Sequence, residues 1–157
     1  MKNALILLAG GSGKRFTIAK NTKPKQFVKI ENNNFIEYFL GNLNEKLFDT
    51  IQIVVKKSSQ NKYLSNLKKD FPQHQIKFVE AGNTRQESSK KGIYSLRKYY
   101  PKNVLIHDSA RPLASNKLIK RLLKSLDNYE SCAPFITNND YIKYKSKKYK
   151  IEQDKIM

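Results

Sequence analysis

Residues 8–16 read Leu8-Ala9-Gly10-Gly11-Ser12-Gly13-Lys14-Arg15-Phe16, directly after the apolar run Ala4-Leu5-Ile6-Leu7. A short apolar run that ends in glycine is typical of a strand covered on both faces in a parallel sheet. The glycines allow positive φ and let backbone N–H groups approach an anion closely. With the cations of Lys14, Arg15 and Lys25 nearby, the stretch predicts a loop that binds phosphate.

Two better-known glycine motifs do not fit this stretch. The P-loop needs an earlier glycine where Leu8 stands and a Ser or Thr where Arg15 stands. The dinucleotide-binding pattern needs a third glycine where Phe16 stands. A plain tight turn therefore remains the alternative interpretation of the loop taken alone.

The composition indicates one domain with a strong excess of positive charge. The chain has 157 residues and a formal net charge of +18, from 31 basic and 13 acidic side chains. Such a charge attracts anionic partners such as nucleic acid, acidic lipid or phosphorylated small molecules. It also fits compositional drift, which we favour because no basic block stands apart from the folded-looking sequence.

The remaining bulk features predict a cytoplasmic protein that does not enter a membrane. The lone cysteine, Cys132, excludes an intrachain disulfide framework and is expected to be a small buried residue. No run of about 18 apolar residues and no signal-peptide core is present. Of the two histidines, we expect His74 at the surface and His107 bonded to backbone at a strand end.

Apolar runs with strand character alternate with stretches of helical periodicity. The expected strands are 4–8, 51–55, 76–79, 104–107 and 133–136, and the expected helices are 35–47, 63–71, 85–99 and 116–126. Thr84 and Glu87 have the spacing of a capping box, and Ser115 can cap the last helix. The alternation predicts a three-layer α/β fold, with a mainly parallel sheet and helices on both faces. The Tyr- and Lys-rich segment 138–157 is expected to leave the sheet as an arm or hairpin.

Ligands of such sheets bind beyond the carboxyl ends of the strands. This rule collects three loops in one crevice: 10–15, 82–88 and 108–111. A phosphate-binding loop, an aspartate able to hold Mg²⁺ (Asp108) and several cations suit phosphoryl or nucleotidyl transfer.

Four segments, in order, resemble those of the 2-C-methyl-D-erythritol 4-phosphate cytidylyltransferase family. They are Leu8 to Arg15, Pro24-Lys25-Gln26-Phe27, Gly82-Asn83-Thr84-Arg85-Gln86-Glu87-Ser88 and His107-Asp108-Ser109-Ala110-Arg111-Pro112. Asp140-Tyr141-Ile142-Lys143 and Asp154-Lys155 also look like later family motifs. The resemblance implies a single Rossmann-like nucleotidyltransferase domain over residues 1–157, with 138–157 as a dimerisation arm.

The same resemblance implies a reaction and a set of residues. The phosphate of a methylerythritol-type alditol attacks the α-phosphorus of CTP, with Mg²⁺ as cofactor, and expels pyrophosphate. The implied catalytic residues are Arg15 and Lys25, and Asp108 is the implied metal ligand. The implied nucleotide-binding residues are Ala9, Gly10, Gly11, Ser12, Gly13, Lys14, Gly82, Arg85, Ser88, Asp108 and Ser109. The implied acceptor-binding residues are Arg111, Tyr141 and Lys155, the last from the partner subunit of a homodimer.

The chain also departs from the family pattern on the acceptor side. Tyr141 stands where the family has Thr, and Lys155 where it has Arg, whose planar fork grips phosphate with two bonds. Family members also continue beyond the position of Met157, so we expect a carboxyl-terminally short member whose nucleotide half is the more complete.

Three other functions stay open at this point. Ribitol 5-phosphate cytidylyltransferases share most of these motifs, so another alditol phosphate could be the acceptor. The chain could instead be an inactive nucleotide-binding remnant. A basic nucleic-acid-binding module, stacking bases on Tyr144 and Tyr149, is the alternative of another class, although no known nucleic-acid motif supports it.

Overall fold

The structure, a computed structural model, describes residues 3–11, 24–30, 32–59, 64, 66–135, 141–144 and 147–150. The strands are β1 (Asn3–Leu8), β2 (Lys29–Ile30), β3 (Asn33–Asn34), β4 (Thr50–Val55), β5 (Ile76–Glu80), β6 (Asn103–Asp108), β7 (Tyr141–Tyr144) and β8 (Lys147–Lys150). The helices are α1 (Phe35–Asn42), α2 (Leu67–Asp70), α3 (Arg85–Leu96) and α4 (Asn116–Ser125). Short 3₁₀ turns cover Lys25–Phe27, Glu45–Leu47 and Arg97–Tyr99.

Four parallel strands form the main sheet in the order β5-β4-β1-β6. In β1, Leu8 pairs with Val54 of β4 on one side and with Asp108 of β6 on the other. The sequence order of the strands therefore reverses between β1 and β6, which is where open α/β sheets bind ligands. The expected parallel α/β fold is confirmed.

The core lies on both faces of this sheet, because successive β1 side chains point to opposite sides. Leu5 and Leu7 pack on one face with α1 and with Ile119 of α4. Ala4 and Ile6 pack on the other face with Leu96 of α3. The result is the predicted three-layer arrangement.

Polar side chains fix where the helices begin. Asn34 caps α1 in a complete capping box, since its Oδ1 accepts the Glu37 N–H at 3.0 Å and the Glu37 carboxylate accepts the Asn34 N–H at 2.7 Å. Ser115 caps α4 as predicted, by accepting the Leu118 N–H. These caps satisfy N–H groups that the first helical turn leaves without a partner.

Several local predictions differ from the structure. Of the strand expected over 133–136, residues 133–135 are an exposed irregular segment, because Pro134 has no N–H to donate to a sheet, and residue 136 lies outside the described residues. The first helix ends at Asn42 instead of reaching Leu47, and the helix expected over 63–71 covers Leu67–Asp70 among the described residues.

The burial of two side chains is the opposite of what the sequence predicted. Cys132 is exposed, and its thiol contacts the Leu122 carbonyl at 3.4 Å. His74 is buried, with Nε2 3.1 Å from the Leu40 carbonyl oxygen, because the turn after α2 folds beneath α1.

The segment beyond the main sheet contains the predicted hairpin. β7 and β8 pair antiparallel, with Tyr141 opposite Lys150, in a two-stranded sheet of their own. Within the part of the chain that the structure describes, none of the helices has the length and apolar character needed to cross a bilayer.

Candidate functional site

Three loops meet at the carboxyl end of the sheet, as the sequence predicted. Those after β1 and β6 are joined across the switch point, because the Leu8 carbonyl accepts the Ser109 N–H at 3.0 Å and the Ser109 hydroxyl at 2.7 Å. Ser109 is buried, and its hydroxyl is used to hold the two loops together. Ser109 would therefore serve the predicted nucleotide site by holding the loops after β1 and β6 in place.

The loop after β1 also lies against the loop after β5. A Cβ added to Gly10 would lie 2.5 Å from the Cβ of Ala81 and 3.8 Å from Ser88 Oγ, so only glycine fits there without movement. Gly11 is exposed, and a Cβ on it would meet no atom of the described residues within 4 Å. Neither glycine has the positive φ expected from the sequence, so the requirement at Gly10 is one of space.

The turn from Gly82 into α3 is held by its own side chains. Ser88 Oγ accepts the Gly82 N–H at 3.0 Å and donates to the Thr84 carbonyl at 2.8 Å. Thr84 caps the helix as predicted, but the Glu87 carboxylate accepts the Asn83 N–H at 2.7 Å and does not close the predicted box on Thr84. The Glu87 carboxylate thus bonds the residue before the cap instead of the cap itself.

A carboxylate and two guanidinium groups lie together where the loops after β5 and β6 meet, and the Arg85–Asp108 pair connects these loops. Asp108 Oδ1 accepts from Arg85 Nε at 3.2 Å, and Arg85 Nη2 lies 3.1 Å from the same oxygen. Arg111 Nε is 3.9 Å from Asp108 Oδ2. Because both arginine side chains are largely exposed, they can turn towards an anionic ligand without disturbing the core.

His107 supports the turn that carries Asp108. Its Nε2 lies 2.9 Å from the Arg111 carbonyl oxygen, and its ring stacks on Phe39 with centroids 4.8 Å apart. Burial lowers the pKa of His107 below the ordinary value of 6.5, against smaller raising effects from the Arg111 carbonyl and the Asp108 charge. The predicted backbone bond of this histidine is confirmed.

Sequence reasoning missed the part played by Gln26. This buried side chain donates from Nε2 to the carbonyl oxygens of Ala9, at 2.7 Å, and Gly11, at 2.9 Å. The bonds tie the 3₁₀ turn that carries Lys25 to the glycine loop. The position of Gln26 next to the candidate catalytic Lys25 was the one sequence feature that could have drawn attention to it. Its partners, however, are backbone atoms, which no sequence pattern identifies.

The structure thus brings together the described members of the predicted nucleotide site. They are Ala9, Gly10, Gly11, Gly82, Arg85, Ser88, Asp108 and Ser109. Ser12, Gly13, Lys14, Arg15 and Lys155 lie outside the described residues. Tyr141 begins β7. In the described ranges, no three or more His, Cys, Asp or Glu side chains cluster as a metal centre.

Comparison with known proteins identifies the family. A model of the family described as IspD, 2-C-methyl-D-erythritol 4-phosphate cytidylyltransferase, matches residues 3–154. The chain belongs to this cytidylyltransferase family. It is therefore a member of a family of nucleotidyltransferases, as the four motifs indicated.

Relatives within this family differ in the acceptor that their names give. The chain is 32% identical over 146 residues to the 2-C-methyl-D-erythritol 4-phosphate cytidylyltransferase of Clostridium acetobutylicum, covering 92% of this chain and 62% of that protein. It is 34% identical over 154 residues to the ribitol-5-phosphate cytidylyltransferase of Vibrio parahaemolyticus, covering 90% and 63%. The chain spans less than two thirds of the length of these two relatives.

Solved structures agree with the fold of this cytidylyltransferase family. The 4-diphosphocytidyl-2C-methyl-D-erythritol synthase of Anaerococcus prevotii superimposes with a TM-score of 0.65 at 22% identity, covering 98% of this chain and 61% of that one. The nucleotidyltransferase fold expected from the sequence is confirmed.

Proposed function

We propose that the chain transfers the cytidylyl group of CTP to 2-C-methyl-D-erythritol 4-phosphate with release of pyrophosphate. The observation that carries this proposal is the meeting of the glycine loop with the Arg85–Asp108 ion pair at the switch point of the sheet. Family membership supplies the nucleotide and the class of acceptor.

In this reaction an oxygen of the acceptor phosphate bonds to the α-phosphorus of CTP as the bond to the leaving pyrophosphate breaks. The nucleophile is already anionic, so the site needs to position charge more than to move a proton. Arg15 and Lys25 are the proposed cations on the transferring phosphoryl group. The glycine loop and Lys14 are proposed to hold the triphosphate, and Gly82 and Ser88 to face the cytosine.

Asp108 fits the role of a magnesium-associated carboxylate. Magnesium sites in nucleotide enzymes use one or two protein carboxylates and take their other ligands from phosphates and water. Asp108 offers one such group, partly exposed, and its Oδ2 is less closely held than Oδ1. Bound Mg²⁺ would neutralise the triphosphate and polarise the α-phosphoryl group.

The acceptor half of the site is proposed to include Arg111, Tyr141 and Lys155. Arg111 is 80% exposed, which leaves its guanidinium available to a phosphate. We further propose that residues 138–157, including the β7–β8 hairpin, form an arm between two subunits. Light scattering of the intact chain and of a chain lacking this segment tests the arm, since only the intact chain should have twice the 18.3 kDa mass.

Ribitol 5-phosphate is the second candidate acceptor. The Vibrio parahaemolyticus relative, which is named for that acceptor, is as similar to this chain as the methylerythritol relative. A panel of alditol phosphates separates the two, because the preferred acceptor should give the higher kcat/KM.

The test of the proposed function is pyrophosphate release from CTP and Mg²⁺ with methylerythritol phosphate as acceptor. Arg15→Ala and Lys25→Ala should each lower kcat by about a hundredfold or more, as expected for a group that stabilises transition-state charge. Lys120→Ala, an exposed lysine on α4, is the matched control and should leave the rate unchanged. CTP binding without turnover would indicate the inactive remnant and contradict the proposed reaction.

A further inference from the structure

We infer that Gln26 is a positioning residue for the triphosphate, because it fixes the direction of the peptide groups in the glycine loop. The inference rests on the proposed function and adds to it a residue that would touch neither substrate. Its evidence is the pair of bonds from Gln26 Nε2 to the Ala9 and Gly11 carbonyl oxygens, at 2.7 and 2.9 Å.

The bond to Ala9 is buried, and the bond to Gly11 is partly buried. Gln26 is 5% exposed and Ala9 2%, so the amide and the Ala9 carbonyl have little access to water that could replace the contact. An unmade hydrogen bond at such a place is costly. The bonds therefore hold both carbonyls towards the Gln26 side chain, the Ala9 carbonyl in the buried interior.

The direction of a carbonyl fixes that of the N–H in the same peptide group. A trans peptide is planar, and its C=O and N–H point in opposite directions. With the Ala9 carbonyl held by Gln26, the Gly10 N–H points away from Gln26. The loop is exposed at Gly11.

This orientation matters for an anion. Backbone N–H groups attract phosphate oxygens, whereas a carbonyl turned to the same place would repel them. The glycines make such a rotation of the peptide easy, since no Cβ opposes it. Gln26 supplies the restraint that the glycines lack, so the loop is prepared before the nucleotide arrives.

Gln26 also sets the place of its neighbour. Lys25, Gln26 and Phe27 form one 3₁₀ turn, and Phe27 is buried in the core against the same face of the sheet as Ala9. The turn is thus anchored by Phe27 on one side and by the loop carbonyls on the other. The backbone of the proposed catalytic lysine is therefore held at a fixed position relative to the glycine loop.

The test compares Gln26→Glu and Gln26→Met with the wild-type chain by calorimetric titration of inorganic triphosphate and of CTP, each with Mg²⁺. The Glu variant has the size of Gln but presents a carboxylate to two carbonyl oxygens, and the Met variant removes both bonds without repulsion. Two lost hydrogen bonds correspond to a dissociation constant about tenfold higher for Met, with a larger increase for Glu. If the Glu variant does not fold, the Met variant still decides the question.

A purely structural role gives a different result. Partial unfolding lowers the fitted stoichiometry and leaves the dissociation constant unchanged, whereas loss of positioning raises the constant at unchanged stoichiometry. Asn3→Ala is the matched control, since it removes two side-chain bonds at the opposite end of β1, one donated to the Leu47 carbonyl and one accepted from the Asn103 amide. This control should lower the thermal midpoint and keep wild-type affinity for triphosphate.

The outcomes separate this inference from the proposed function. Wild-type affinity in both Gln26 variants overturns the inference and leaves the function standing. A wild-type chain that binds triphosphate but not CTP overturns the cytidylyl function, while the Gln26 comparison remains decisive with triphosphate. A wild-type chain that binds neither ligand overturns both.

Discussion

The Arg85 guanidinium holds the Asp108 carboxylate across two loops, with Nη2 3.1 Å from Oδ1. A cation therefore lies on the carboxylate to which we assign the magnesium. When a triphosphate enters, Arg85 can exchange this carboxylate for phosphate oxygens, which it can grip with two parallel bonds. This relationship leads to two predictions about charge.

Arg85→Ala should weaken CTP binding about tenfold, because a charge-assisted contact to phosphate is lost. The free energy of unfolding should change by less than about 1 kcal/mol, since the pair is exposed to solvent. Calorimetric titration and urea denaturation measure the two effects. Arg97→Ala is the control at the far end of α3, and equal affinity in both variants would refute the role of Arg85.

Asp108→Asn should remove most of the magnesium dependence of CTP binding. The substitution keeps the size of the side chain but removes the negative charge that attracts the cation. In EDTA the variant should bind CTP at least as well as the wild-type chain, because a charge that repels the triphosphate is gone. Titrations with and without Mg²⁺ check both statements, and an unchanged response to Mg²⁺ would place the metal elsewhere.

Gly10→Ala should destabilise the chain by about 1–3 kcal/mol, the range for overpacking a tight site. The added Cβ would lie 2.5 Å from the Cβ of Ala81. Gly11→Ala is the matched control, as no atom of the described residues lies within 4 Å of its added Cβ, and it should change stability by less than about 0.5 kcal/mol. Urea denaturation of the two variants measures the difference in stability. Equal stabilities would contradict the close contact between the loops after β1 and β5.

The stability of the chain should fall as the pH is lowered below about 6.5, in part through His107. Burial lowers the pKa of His107 in the folded state, so the unfolded state takes up a proton first as the pH falls. The contribution is present above the unfolded pKa and is lost as the pH falls through the folded pKa. His107→Phe keeps the ring contact with Phe39 and removes the titration.

Urea denaturation between pH 5 and pH 8 measures this effect as the difference between the wild-type chain and His107→Phe. The difference should shrink or reverse towards pH 5. A difference that stays constant across this range would show that His107 makes no pH-dependent contribution.

The sequence was most informative where one pattern decides the structure. Continuous apolar runs predicted β1, β4, β5 and β6 because parallel strands buried on both faces need them. Ser115 and the stripe of leucines after it predicted α4 for a similar reason. The rule that parallel strands present their carboxyl ends at one edge then brought three loops together before any distance was known.

The sequence was least informative where a contact between residues distant in the chain determines the placement of a side chain. His74 has polar neighbours in sequence, yet the turn around it lies beneath α1, and Cys132 lies in an apolar run that Pro134 keeps out of the sheet. Gly10 is required by the nearness of Ala81, a residue far away in sequence, and not by its own φ. Gln26 was missed because its partners are two backbone carbonyls.

The central claim is that the loops around Gly10, Arg85 and Asp108 form a site for CTP. Calorimetric titration of the intact 157-residue chain with CTP and Mg²⁺, repeated with ATP and GTP, tests it most directly. We expect one CTP bound per chain, with an affinity at least about tenfold higher than for ATP or GTP. No binding of CTP, or equal binding of all three nucleotides, would contradict it.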